Sequence, residues 1–443
     1  MKVYLPNNFL PERKYIVSLL LGYLDLDVNL LVHEKNFYLI EHNNKQIFFY
    51  DYFFTNKNER EGYLNKKNLP QGFKFLDAGK FYPQKLPVLY GENKIISQDD
   101  RIIIYGDIFA SAFFLLTRWE EKVIKEKDEH NRFPDSENFL KKHGLHYRPV
   151  VCEYITFLKN LMGFLGIYPS INQRYSALIT HDVDIFERYD TFINFFKATV
   201  NDIRLRKSPS MALNGIYTYA RKITGQGRDP YDTFDYLMDI SEKYGLKSHF
   251  YFIPSLKTEP WAFYDYNNPK VVATVKHILE RGHIIGLHGS YRGYNDEEIF
   301  VMELDRFRST YGISPEEGRQ HFLRFENPVT WRLWDQNGLR TDSTLGFSSD
   351  IGFRAGMCYP YRVFDVEARR ILDLTEIPLI VMDGGIAKIL QKPEQILNQI
   401  SEIKQTVKTF NGSFVFLWHP NSFVLPPFDR LGKYYEEIIK ILL

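Results

Sequence analysis

The chain has 443 residues, more than one core usually holds, so two domains or one large barrel with an appendage is the expectation. Its 56 basic and 55 acidic residues leave a net charge of +1, which argues against a nucleic-acid or membrane surface as the main partner and suits a neutral substrate. The two cysteines, Cys152 and Cys358, stand far apart and in no CxxC pattern, which removes a disulfide framework and a thiolate metal site.

Near the start, the apolar run Tyr15-Ile16-Val17-Ser18-Leu19-Leu20-Leu21 lies between charged flanks, lacks a small-residue cleavage site and is too short to span a bilayer. It reads as a buried helix or strand. No other window reaches the roughly 18 apolar residues a transmembrane helix requires, so a soluble, cytoplasmic protein without a signal peptide or transmembrane segment is expected. From 28 to 105, short apolar and aromatic runs alternate with Asn, Lys and Gly clusters, and Asn43-Asn44 between two runs signals a hairpin. Residues 1–105 are therefore expected to form a small α+β domain. Apolar residues at helical spacing over 107–125 open a helical bridge, 106–170, whose charged stretch 122–132 reads as a solvated face or loop. Nothing in residues 1–170 forms a catalytic constellation. The aromatic share of 16% suits sugar-stacking surfaces but is more often core.

In the last domain, 171–443, one unit repeats beyond Asp184. Tyr231, Phe234, Leu237, Met238 and Tyr244 mark a helix face closed by Gly245, with a strand at 247–253. A helix over 271–279 closed by Gly282 leads to a strand at 283–288. Further helices are expected at 296–311, 331–337 and 393–410, with strands at 318–325, 339–342 and 413–419. Helices alternating with apolar strands imply a parallel sheet with helices outside, either a barrel or a doubly wound sheet.

The apolar run 177–184 ends in Asp182 and Asp184. Side chains alternate along a strand, so these two carboxylates share one face while His181 and Val183 share the other. Alone, such a pair reads as a strand running into a turn. However, Asp182, Asp184, His288, Arg319, His321, Asp342 and His419 all fall on these strands, most at or near the C-terminal ends, which in a parallel barrel converge on one mouth. His283 reads as a surface or core-edge histidine and Asp342 as a plausible cap. A divalent metal held by His and Asp, with a second carboxylate and a separate His, suits amide hydrolysis.

From about residue 175 onward the chain resembles the NodB-like polysaccharide deacetylases, carbohydrate esterases of family four. The resemblance rests on Thr180-His181-Asp182-Val183-Asp184, on Gly282-His283-Ile284-Ile285-Gly286-Leu287-His288, on Arg319 in Gly318-Arg319-Gln320-His321, and on Phe416-Leu417-Trp418-His419. It implies an irregular (β/α) barrel of about seven units, preceded by the small α+β domain. Residues 1 to about 150 resemble the extension of bacterial members tied to surface-polysaccharide synthesis.

The resemblance further implies Asp182 as general base, Arg319 as its steadying partner, His419 as general acid, and Asp184 and His288 as ligands of a divalent metal, zinc first among the candidates. The family places a second metal histidine four residues after the first, and here that position is Arg292. His321 is the first choice for the missing ligand and His249 the second; a weak or inactive site is the remaining alternative. Arg292, Tyr291 and Trp418 are candidate substrate-binding residues. The expected substrate is an N-acetylated sugar or glycan. A carbohydrate-binding relic and a hydrolase of non-sugar carbon-nitrogen bonds stand as alternatives.

Overall fold

The computed structural model describes residues 1–55, 57–389, 392–426 and 428–443. The first segment holds β1 (Lys2–Pro6), α1 (Leu10–Gly22), β2 (Asn29–His33), β3 (Phe37–His42), β4 (Lys45–Tyr50), β5 (Lys74–Leu76), β6 (Leu86–Val88), β7 (Gly91–Ser97) and β8 (Arg101–Gly106). Six of these strands form one sheet in the order β2-β1-β3-β4-β8-β7. The β3–β4 hairpin turns on Asn43 and Asn44, both left-handed at φ 47° and 62°, a conformation asparagine tolerates better than most residues.

Next come α2 (Ile108–Thr117), α3 (Glu120–Val123), α4 (Phe139–Lys142) and α5 (Val150–Met162). The Asp107 side chain caps α2 by accepting from the Ala110 N–H at 2.9 Å. All ten residues of α2 are buried, and the helix stops at Arg118, φ 53°, short of the predicted 125. One hydrophobic core runs from Val3 through Phe113 to Phe416, so the N-terminal sheet and most of the rest share an interior, while Leu379, Val415 and Leu417 form a second, small cluster. Tyr15 and Tyr23 donate to the carbonyls of Arg362 and Pro360 across this boundary, at 2.8 and 2.7 Å.

The second sheet starts with β9 (Ser176–Val183), and a helical hairpin follows, α6 (Phe192–Arg204) and α7 (Pro209–Ile223). Then come α8 (Phe234–Lys243), β10 (Ser248–Phe252), α9 (Pro269–Glu280), β11 (Ile284–Gly289), α10 (Glu297–Tyr311), β12 (Glu317–Gln320), α11 (Val329–Gln336), β13 (Thr341–Asp342), β14 (Tyr361–Asp365), β15 (Arg370–Glu376), β16 (Leu379–Met382), α12 (Asp383–Ile389), α13 (Pro393–Thr409), β17 (Ser413–Leu417), α14 (Phe428–Leu431) and α15 (Tyr435–Leu442). Strand order is β14-β15-β13-β12-β11-β10-β9-β17-β16, and every pairing is parallel except β14 with β15. The fold is thus mixed α/β, with a curled nine-stranded sheet whose edges, β14 and β16, are not paired to each other among the described residues.

Where the alternating pattern predicts a strand to 325, β12 ends at Gln320. The chain turns there, with Phe322 and Leu323 both at positive φ. Gly318 is required by sheet closeness: a Cβ there would lie 1.9 Å from the Leu287 carbonyl oxygen. The cysteines, far apart in sequence, meet in the core with sulfurs 3.4 Å apart as free thiols. No described helix is long and apolar enough to cross a membrane.

Candidate active site

The alternation of β9 sends His181 into the core and Asp182 to the cavity side. His181 is buried between the Trp418 carbonyl and the Ser248 hydroxyl, and burial pulls its imidazole down to about 3, so it is neutral. Asp182 meets Arg319 from β12. The guanidinium donates to Asp182 Oδ1 at 2.7 Å and to Thr180 Oγ1 at 3.1 Å, and is itself held by the Ser343 carbonyl and hydroxyl at 2.8 and 3.0 Å. The whole group is buried. Arg319 is thereby locked in one rotamer against the carboxylate.

Beside it, Asp184 Oδ1 lies 3.1 Å from His288 Nε2 and 3.2 Å from His321 Nδ1, and the two imidazole nitrogens are 3.1 Å apart. His288 donates from Nδ1 to the Arg319 carbonyl at 2.8 Å, which leaves the Nε2 lone pair toward Asp184. Burial alone would raise the Asp184 carboxyl, but His321, His419 and His288 hold it well below the usual range. His321 Nε2 is buried without a partner among the described residues. Three electron-pair donors within 4.8 Å of one another, two of them facing imidazoles with room for only one proton between them, form a donor set that fits a divalent cation. The turn that ends β12 at Gln320 is what delivers His321 to this point.

On the other side stands His419, just past the end of β17. Its Nε2 is 3.5 Å from Asp184 Oδ2, and its Nδ1 donates to Asp383 Oδ1 at 2.8 Å. Asp383, at the start of α12, has no place in the sequence expectation. The signal that was available is the apolar run 379–382 ending in an acid, the same form as 177–184. A cavity of about 250 Å³ is lined by Asp182, Asp184, His288 and His419, with Phe322 and Met382 on its walls. A larger one of about 410 Å³, beside Tyr82, Arg148 and Phe410, holds among the described residues only the paired Arg148 and Glu153 as charged groups and no such cluster.

Other expectations require correction. Trp418 is fully buried against Phe423 and Tyr435, because strand alternation turns it away from the side His419 faces; it is core and does not line the cavity. Arg292 is exposed and borders a separate cavity with Glu259 and Pro260. His249 sits near the N-terminal end of β10, a layer below the mouth, bonded to Glu317 at 2.5 Å. Asp342 does cap a turn, accepting the Thr344 N–H at 3.0 Å, but it is buried beside Glu376 away from the cavity, its carboxyl pushed up to about 6 by burial. Tyr291 stands in an aromatic group with His130, Trp261 and Phe322 next to the cavity. The stretch 122–132 is only partly a solvated face, since Glu129, His130 and Arg132 line the cavity and Arg132 donates to the Phe322 carbonyl at 2.7 Å. Residues before 170 therefore do reach the site.

Residues 1–166 match a family of unknown function, DUF7033. No curated protein matches the chain. Among solved structures, a Mycobacterium smegmatis protein provisionally described as a polysaccharide deacetylase is 16% identical, with 60% of this chain and 83% of that one covered and a TM-score of 0.38. A chitin deacetylase from the fungal pathogen Colletotrichum lindemuthianum is 10% identical over 60% of this chain and 84% of that one, with a TM-score of 0.30. A pseudoenzyme of the CE4 family from Bacillus anthracis is 11% identical over 61% and 62%, also with a TM-score of 0.30.

Proposed function

We propose that this chain is a metal-dependent amide hydrolase that removes acetyl groups from an N-acetylated sugar or glycan. One observation carries the reading: a carboxylate fixed by arginine and an imidazole fixed by a second carboxylate flank the same His-His-Asp cluster. Asp182 Oδ2 lies 3.8 Å from His288 Nε2 on one side, and His419 Nε2 lies 3.5 Å from Asp184 Oδ2 on the other. Asp184, His288 and His321 would hold the cation. When bound there, a divalent metal such as zinc polarises the amide carbonyl and makes water more acidic. Asp182, anchored through Oδ1, takes the proton of the attacking water on its other oxygen. His419, with Nδ1 committed to Asp383, gives a proton from Nε2 to the leaving nitrogen. The products are acetate and a free amine.

The finer architecture belongs to the same proposal: an irregular barrel of about seven units over 171–443, a bridge at 106–170 and an N-terminal α+β domain at 1–105, in the manner of bacterial surface-polysaccharide proteins. The sequence motifs support the sugar substrate. The test is acetate release by the zinc- or cobalt-loaded protein from a panel of N-acetylated sugars and oligosaccharides, set against simple acetamides. Turnover confined to the sugars is expected. Turnover of simple amides alone would move the reading to another carbon-nitrogen bond, and no metal binding together with no turnover would leave a binding relic.

A further inference from the structure

The hairpin of α6 and α7 exposes the side that a helical hairpin ordinarily buries. On α6, Phe192, Phe196 and Ile203 recur at helical spacing and are 52% to 65% exposed. On α7, Leu213, Ile216 and Ile223 do the same at 48% to 68%, with Tyr217 beside Leu213 at 61%. Their opposite faces are already occupied. Phe195 stacks on Tyr219 with ring centres 4.0 Å apart, Gly215 packs against Tyr189, and Asp202 is buried in ion pairs with Arg188 and Arg206. Both helices are capped, by Thr191 and Ser208. The apolar stripes are thus on the outer surface of a built element, and large apolar side chains exposed in such number on one hairpin mark an interaction site.

Charge selects the occupant. Residues 191–228 contain seven Lys or Arg and one Asp, a net charge of +6, while the remainder of the chain is net −5. The single acid is consumed internally, and Lys197, Arg204, Lys207 and Arg221 meet no carboxylate among the described residues. Lys222 and Arg228 pair with Glu187, Asp229 and Asp235 outside the segment, so a second copy docking hairpin to hairpin would set these four unpaired cations against the same four. An anionic bilayer neutralises the same charges and takes up the apolar stripes. At 13 and 15 residues the helices are too short to cross, so they would lie in the plane of the surface.

We propose that this hairpin docks the protein on an anionic lipid surface, its phenylalanine and leucine side chains in the headgroup region and its unpaired cations against lipid phosphates. Because β9 ends at Val183 and α6 begins at Phe192, the hairpin rises from the sheet end that carries Asp182 and Asp184, and docking holds the cavity close to the membrane. The proposal does not depend on the hydrolase reading.

The test is flotation of the full chain with phosphatidylglycerol–phosphatidylcholine vesicles and with phosphatidylcholine vesicles alone. Partitioning to the anionic vesicles that weakens with added salt is expected. A triple Phe192→Ser, Phe196→Ser, Leu213→Ser variant and a triple Lys197→Glu, Arg204→Glu, Lys207→Glu variant should each bind about a hundredfold more weakly. All six side chains are solvent-facing, so circular dichroism and melting should match the parent. Absence of vesicle binding by the parent, or unchanged binding by both variants, overturns the proposal. So does a parent dimer in sedimentation that the serine variant abolishes while vesicles stay unbound, which would make a second copy the occupant.

Discussion

Asp383 grips His419 twice: one carboxylate oxygen accepts the imidazole Nδ1 proton at 2.8 Å and the other accepts the backbone N–H of the same residue at 3.0 Å. Ring and backbone are thus fixed together, and Nε2 is aimed at the cavity. Burial alone would lower this imidazole, but Asp383 first and Asp184 second push it up to about 10. A folded value above the ordinary 6.5 contributes stability that is fully present below about 6.5 and lost as pH rises through about 10. Asp383→Asn should therefore destabilise the metal-free protein at pH 7 and much less above pH 10, as thermal melts across that range would show. With Asp184 engaged by a cation, Asp383 is the partner that remains, so the basic limb of the pH-rate profile should move to lower pH in the same variant. An unmoved limb would remove His419 from the acid role.

Asp182 and Arg319 form a buried ion pair, 2.7 Å between Oδ1 and the guanidinium, in which Arg319 is the carboxylate's cation. Asp182→Asn should lower kcat by roughly a hundredfold or more; its amide oxygen can still accept from Arg319, which Thr180 and Ser343 also hold, so the loss of stability should be smaller than in Arg319→Met. Arg319→Met leaves a buried carboxylate uncompensated and should cost about 3 to 5 kcal/mol of stability as well as activity. Denaturant unfolding separates the two effects. A fully stable Arg319→Met protein would contradict the pairing.

Metal affinity tests the cluster directly. In calorimetric titration with zinc or cobalt, Asp184→Asn, His288→Ala and His321→Ala should each weaken binding by at least about tenfold, whereas His249→Ala and Arg292→Ala should not. Unchanged affinity in His321→Ala would reduce the site to two protein ligands.

Glu303 offers a stability prediction away from the chemistry. It is fully buried in α10, accepts the Ser290 N–H at 3.1 Å through one oxygen, and leaves the other without a partner among the described residues. Burial raises its carboxyl from 4.5 to about 7. Its stability contribution is therefore fully present below about 4.5 and is lost as pH rises through about 7. Glu303→Gln should flatten the fall in melting temperature across that window. A steeper fall in the variant would count against it.

Local periodicity by itself determines which residues share a face. A period of two on the run ending at Asp184 determined that Asp182 and Asp184 share a face opposite His181, and helices closed by Gly245 and Gly282, both at positive φ, follow from the 3.6-residue pattern. The surplus of cations in 191–228 was also written in the sequence, though a chain-wide charge of +1 averages it away. Only the tertiary structure decided which strand ends stand side by side. Asp383 reaches His419 because β16 pairs with β17, and the packed core brings Cys152 to Cys358. The turn after Gln320 puts His321, not His249, beside His288. The same long-range packing turns Trp418 into the core, leaves Arg292 facing solvent and folds residues 129–132 over the cavity. Periodicity records which side of an element a residue occupies; what lies against that side is set by contacts between residues far apart in the chain, which no local pattern encodes.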